Sequence, residues 1–236
     1  MEDVVEAVKK KGGSAGLTMT KSKAKGLGLK QLFQKKYKML EGLPPDIEKA
    51  FGQLTEHILM IVYGPSGNGK SRMVMAFIKM LMAYGDVMYL GLEEGHRWTM
   101  QKNAADNLNE KDHSGKITFW DHNMTFDALV EKLRKKKSPK YIVVDSLQYW
   151  RIALAQYKYL KETFPNKGFI YISHSKGKNP SGKLAVDIEY DVDIKVRVEG
   201  FVAFVTVRGS GIRYYIIWED GAIRYWGKKK VNQFKK

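Results

Sequence analysis

Residues 64–71 read Gly64-Pro65-Ser66-Gly67-Asn68-Gly69-Lys70-Ser71, with glycines, a lysine and a hydroxyl in the spacing G-x-x-x-x-G-K-[ST]. That spacing serves to hold a chain of phosphates. Gly64, Gly67 and Gly69 allow backbone conformations and close approaches that a Cβ obstructs, so successive amides wrap an anion. Lys70 reaches β- and γ-phosphate oxygens as a point charge. The Ser71 hydroxyl is offered to Mg²⁺, a cation that keeps most of its waters and takes few protein ligands. Pro65, Ser66, Asn68 and the following Arg72 complete the candidate nucleotide-binding set.

Further chemically capable residues stand at the ends of apolar runs. Glu93 and Glu94 follow residues 86–92. A carboxylate there either orients and deprotonates a water attacking a γ-phosphate or simply favours a helix N-terminus. Asp145 closes Tyr141-Ile142-Val143-Val144 and supports the metal through water or through the Ser71 hydroxyl. His174 follows residues 168–173; a polar group at that point reports the presence of a γ-phosphate or satisfies a neighbour's hydrogen bond. Lys176, Lys178 and Lys183 come next, in a glycine-bearing stretch. That stretch reads either as a solvated loop or as a DNA contact that switches with the nucleotide.

These side chains need a scaffold that gathers strand ends. Residues 58–63 are continuously apolar and β-branched, as a strand buried on both faces requires. Residues 72–82 are rich in helix formers and free of Gly and Pro. Strand, glycine turn and helix therefore follow without a gap, and the helix's first amides point at the anion. Further strands are expected over 86–92, 117–120, 141–145 and 168–173. Helices are expected over 97–108, from Thr125 to about residue 136, and over 149–164. The alternation specifies an α/β fold with a mostly parallel central sheet flanked by helices, whose ligands gather at the strands' carboxyl ends.

Residues 194–198 and 202–207 read as an antiparallel hairpin. A second hairpin is expected from residues 213–218 and 222–226 around Glu219-Asp220-Gly221, because Asp-Gly between aromatic runs is a strong turn signal. Short helices over 32–43 and from Asp46 through Phe51 precede the first strand. The expected organisation is a flexible basic tail over 1–30, a helical lead-in over 31–57, a core over 58–211, and a C-terminal β-hairpin with a frayed basic tail over 212–236.

A chain of 236 residues with 44% apolar content can bury one α/β core with short extensions. It has no cysteine, which excludes disulfides and thiolate metal sites. The opening residues lack the pattern of a signal peptide, and no apolar run approaches the roughly 18 residues of a membrane span, so a cytoplasmic, soluble protein without a membrane partner is expected. A net charge of +16 favours a polyanionic partner, with nucleic acid the leading candidate.

The order of these features resembles that of the RecA-like P-loop ATPases. The similarity is to the ATPase core of RadA/Sms-type and DnaB-type proteins, more loosely to KaiC, and it covers about residues 43–211. A compact ATPase of phage or mobile-element type fits the chain better than a whole RadA or DnaB. The resemblance implies ATP and Mg²⁺ as ligands, Glu93 as catalytic base with Glu94 beside it, Asp145 as the Walker B acid and His174 as sensor. It implies single-stranded DNA on the loop from Lys176 to Lys183. Arg208 matches an arginine that reaches a neighbouring subunit's nucleotide, although Thr206 stands where relatives carry a lysine. The expected function is a DNA-coupled ATPase of recombination, replication or repair, assembled as a ring or filament. A KaiC-like regulatory ATPase acting on proteins, and a nucleotide-gated loader or mediator, are the alternatives.

Overall fold

A computed structural model describes residues 26–113 and 115–235. Residues 1–25 of the expected basic tail lie outside the described residues. The chain divides into one unit through Tyr37 and a second from Lys38 onward. In the first, helix α1 (Leu29–Gln34) is exposed along its length and is capped by Gly28 N donating to Gln31 Oε1 at 3.0 Å. The helix expected over 32–43 is therefore not continuous. In the second unit Met39 bridges Thr55, and Leu40 N donates to Leu54 O at 2.8 Å, so this backbone bonds across the chain rather than along a helix.

The second unit begins with α2 (Pro45–Phe51), whose proline occupies the first helical position, where its missing N–H has no partner to lose. Strand β1 (Leu59–Gly64), helix α3 (Lys70–Leu81) and strand β2 (Val87–Gly91) follow. Helices α4 (Trp98–Asn107) and α5 (Glu110–His113) lead to β3 (Ile117–Trp120). Thr125 caps α6 (Phe126–Arg134) by accepting from Ala128 N at 3.2 Å, and β4 (Tyr141–Asp145) comes next.

The helix expected over 149–164 is two, α7 (Leu147–Trp150) and α8 (Leu154–Thr163). Arg151 adopts φ 52° between them, Ile152 is buried, and the Gln156 side chain satisfies the Ala153 N–H. Strand β5 (Gly168–Lys176) then runs into the two-residue β6 (Asn179–Pro180) and helix α9 (Lys183–Asp191), so the expected loop is a short ribbon with a helix behind it. Strands β7 (Ile194–Glu199) and β8 (Val202–Val207) form the expected hairpin, and β9 (Ile212–Ile216) joins it.

The second hairpin does not form. Residues 219–226 are helix α10 (Glu219–Trp226), and the tail expected to fray is helix α11 (Lys228–Phe234). Glu219 and Asp220 occupy the first turn of α10, where the helix dipole favours acids. Gly221 packs so closely that a Cβ would lie 2.4 Å from the Trp218 ring, while Ala222, Val231 and Phe234 bury against aromatics of β8 and β9. Packing overrides the local turn signal.

Among the described residues the strands form one sheet in the order β3-β2-β4-β5-β1-β7-β8-β9, with β6 paired to β5. The sheet is parallel from β3 to β7 and antiparallel from β7 to β9. Successive residues face opposite layers: Met60 and Val62 join one core with α2 and α3, while Ile61 and Tyr63 join the other with α6, α8 and α9. Covering both faces explains the unbroken apolar runs, and each such buried aliphatic side chain contributes roughly 1.5–3 kcal/mol. No helix among the described residues is long and apolar enough to cross a membrane.

Candidate functional site

Strand register brings the candidate residues to one edge of the sheet. Gly64 at the end of β1 lies opposite His174 of β5, and Gly91 at the end of β2 lies opposite Asp145 of β4. The neighbouring strands β1 and β5 lead to helices in opposite layers, α3 in one core and α9 in the other, and such a divergence opens a crevice at the carboxyl ends. A cavity of about 340 Å³ fills it, lined by Ser66, Gly67, Gly69, Lys70, Ser71 and Arg72 from the loop. Glu93, Glu94, Asp145, His174 and Phe201 complete its wall.

The loop takes its shape from its glycines. Gly64 passes so near β7 that a Cβ would meet Val198 O at 2.1 Å, and Gly69 turns into α3 with φ 101°. No side chain caps α3, which leaves its first amides for an anion. Lys70 Nζ donates to Gly64 O and Pro65 O, both at 2.9 Å. Asn68 Nδ2 donates to Ser66 O at 2.9 Å, and Asn68 Oδ1 accepts from Gly200 N at 2.8 Å, which ties the loop to the turn between β7 and β8.

Across the cavity the two glutamates are held differently. Glu93 Oε2 accepts from Ser146 Oγ at 3.1 Å and lies 2.9 Å from His174 Nε2. Glu94 Oε2 accepts from Thr99 Oγ1 at 3.0 Å, on the first turn of α4. The turn carrying Glu93 is itself fixed, because Asp145 O accepts from Leu92 N and Glu93 N. Gln148 connects the next layer: its Nε2 donates to Ser173 Oγ and Ser181 O, both at 2.8 Å, and its Oε1 accepts from His174 N at 3.2 Å.

Burial pushes the Asp145 carboxyl up to about 6, a donated hydrogen bond from Tyr89 opposes the rise, and the Glu93 and Glu94 charges add to it. Lys70 lowers Asp145 in turn. The Lys70 ammonium is held below its ordinary value by burial, against the pull of Asp145 and Glu93. Carboxylates and one partly buried cation thus share the cavity, an arrangement whose electrostatics would change on entry of an anion or a dication.

Among the described residues no group of three or more His, Asp or Glu is placed to hold a metal by itself. Ser71 and Asp145 do line one cavity, and Tyr89 engages Asp145 Oδ2 from behind. Two hard oxygen donors in one cavity, Ser71 from the glycine loop and Asp145 from β4, are of the kind that fits Mg²⁺, a cation that keeps most of its waters.

Other expected site residues lie elsewhere. Lys176, Lys178 and Lys183 are exposed on the ribbon and at the start of α9, and Lys183 pairs with Asp187 at 3.0 Å. Arg208 is not in the wall of this cavity: its Nε pairs with Asp193 Oδ1 at 3.1 Å, and its guanidinium donates to Asp191 O and Val192 O.

Sequence reasoning missed Tyr89, Ser146, Gln148, Thr99 and Phe201. A tyrosine inside a buried strand signals the need for a polar partner, but no sequence rule names Asp145 as that partner. Phe201 did leave a signal, since it stands in a tight turn where Gly or Asn is usual.

A scan against known protein families matches none of them, and a search among curated proteins finds no match.

Proposed function

We propose that the protein binds ATP with Mg²⁺ and hydrolyses it in a RecA-like fold, with turnover coupled to single-stranded DNA. The observation that carries this reading is the convergence of Lys70, Ser71, Asp145 and Glu93 on one cavity at the carboxyl ends of β1, β2 and β4. The RecA-like assignment is supported by the order β2-β4-β5-β1-β7, in which the strand bearing His174 separates the phosphate-binding strand from the strand bearing Asp145.

Lys70 exchanges its carbonyl partners for phosphate oxygens, and the free amides at the start of α3 hold the β-phosphate. Ser71 and Asp145 would hold Mg²⁺, which would neutralise charge developing on the phosphates. Glu93 takes a proton from the water whose oxygen attacks the γ-phosphorus, and the bond to the ADP oxygen breaks. Its carboxylate is oriented by Ser146 and His174, whereas Glu94 is turned toward Thr99. This difference favours Glu93 as the base.

Coupling to DNA rests on chain continuity: β5 runs from His174, in contact with Glu93, to Lys176 at the basic ribbon. ATP hydrolysis measured with and without a single-stranded oligonucleotide, over a range of salt, tests the reading. Turnover should rise with DNA and the rise should fade with salt. Glu93→Gln should bind ATP and lose about 10²–10⁴-fold in rate. Replacing Lys176, Lys178 and Lys183 by Gln should abolish only the stimulation. DNA-independent turnover in the unaltered protein would favour a regulatory ATPase, and full turnover in Glu93→Gln would refute the assigned base.

A further inference from the structure

The turn between β7 and β8 breaks a sequence rule at the wall of the cavity. Glu199 pairs with Val202, leaving Gly200 and Phe201 as a two-residue loop with φ 53° and 61°. Positive φ at both positions is the type I′ pattern, whose second place prefers glycine. A phenylalanine there holds a left-handed backbone at a cost of about 1 kcal/mol. It persists because it is fixed from several sides. Phe201 N donates to Asn68 O at 3.1 Å, Phe201 O accepts from Ile217 N at 2.9 Å, and the Trp218 ring meets Phe201 edge-on at 5.0 Å.

The position held this way is specific. Phe201 lines the phosphate cavity, with its Cδ1 3.1 Å from where a Cβ on Gly69 would lie. Arg72, also on the cavity wall, is 5.7 Å from the Trp218 ring centre, and Arg224 is 4.8 Å from the same ring. An aromatic ring and a guanidinium therefore stand on the cavity wall at the start of α3, and the base of a nucleotide whose phosphates lay on the loop would extend beyond them. The cavity's carboxylates come from other elements, Glu93 and Glu94 from the turn after β2 and Asp145 from the end of β4.

We propose that Phe201, positioned by Trp218, is the platform on which the base of the bound nucleotide stacks, so that binding requires a base but discriminates little between bases. The proposal rests on the reading of the loop as a triphosphate site and names the recognition beyond the phosphates. Stacking tolerates any base because every base has a π-face. None of Phe201, Trp218, Arg72 and Arg224 offers the paired donor and acceptor that reads adenine, and the two guanidiniums, which could fork onto guanine O6 and N7, instead lie over the Trp218 ring.

Calorimetric binding of ATP, GTP, CTP and inorganic tripolyphosphate, each with Mg²⁺, tests this on the full chain. The nucleotides should bind within about threefold of one another and about tenfold more tightly than tripolyphosphate, a gain of about 1.4 kcal/mol. Phe201→Gly, which suits the turn's backbone, should erase that gain for all the nucleotides and leave tripolyphosphate within about twofold. Phe201→Tyr should retain the gain. An equal loss for ATP and tripolyphosphate in Phe201→Gly would make Phe201 a support for the loop and overturn the proposal. Preference for one purine by more than tenfold would overturn it as well. Unaltered protein that binds tripolyphosphate without any gain for nucleotides would sink the platform alone, whereas failure to bind either ligand would sink the triphosphate site itself.

Discussion

Glu93 has two donors within reach, and the two have different origins. Ser146 stands just past β4 at the start of α7, and His174 belongs to β5, the strand that continues into the basic ribbon. Removing His174 leaves the Ser146 donor, so Glu93 keeps one of its two constraints. A hydrogen bond to a charged group contributes about 1.5–3 kcal/mol, which corresponds to roughly 10- to 100-fold in rate. His174→Ala should therefore slow ATP turnover by that amount, less than Glu93→Gln does, with the KM for ATP little changed. It should also lose the response to single-stranded DNA, because the proposed coupling from ribbon to Glu93 passes through this side chain. A rate loss as deep as that of Glu93→Gln would place His174 in the chemistry, and preserved DNA stimulation would remove it from the coupling.

At the scale of elements, Glu56 shows what fastens the segment before β1 to the sheet. Its carboxylate pairs with Lys38 at 2.8 Å and with Lys140, at the entry to β4, at 2.9 Å. Burial raises the Glu56 carboxyl and the two lysines outweigh it, so the group is held below its ordinary value. A carboxyl lowered on folding contributes stability that is present above its ordinary pKa and lost as pH falls through the lowered, folded value. Glu56→Gln should lower stability near neutral pH by on the order of 1 kcal/mol. Thermal midpoints recorded across acid pH should converge for the two proteins as pH falls below the ordinary carboxylate range. A gap that stays constant with pH would show that packing, not charge, sets the cost. The same scale separates what could be read in the sequence from what could not. Residues 58–63, 141–145 and 168–173 declared themselves as strands because burial on both faces leaves an unbroken apolar run. Lys70, Ser71, Asp145, Glu93 and His174 followed, since each stands at or just past the end of such a run or of the glycine loop. Local signals failed where a distant partner decides conformation. Asp220-Gly221 spells a turn, but the rings of Phe201 and Trp218 pack on Gly221 and make it part of α10. Helix α9 was hidden behind a glycine-rich opening, although Ala185 and Ile188 bury against the same core as α6 and α8.

At the scale of the whole molecule, the position of Arg208 bears on how many copies act together. It follows β8 and is tied by its guanidinium to Asp193 Oδ1, Asp191 O and Val192 O, at the junction of α9 and β7. It does not line the cavity that holds Lys70 and Glu93 of its own chain. A direct contribution of Arg208 to hydrolysis would have to come from a second copy, as the ring or filament expected from the sequence would supply. An arginine supplied from a neighbour accelerates related phosphoryl transfers by about 10³–10⁵-fold. Lys70→Ala disables a subunit's own site while leaving its Arg208 intact, and Arg208→Ala does the reverse. Each variant alone should hydrolyse ATP slowly, and a mixture of the two should recover activity, because a Lys70→Ala subunit can serve the intact site of an Arg208→Ala neighbour. If Arg208 acted only within its own chain, no mixing ratio would restore turnover. Thermal midpoints of both variants separate this outcome from simple unfolding, since the pairing of Arg208 with Asp193 and the two carbonyls also fastens α9 to β7. Recovery on mixing, at protein concentrations where the copies associate, would make the assembly rather than the single chain the catalytic unit.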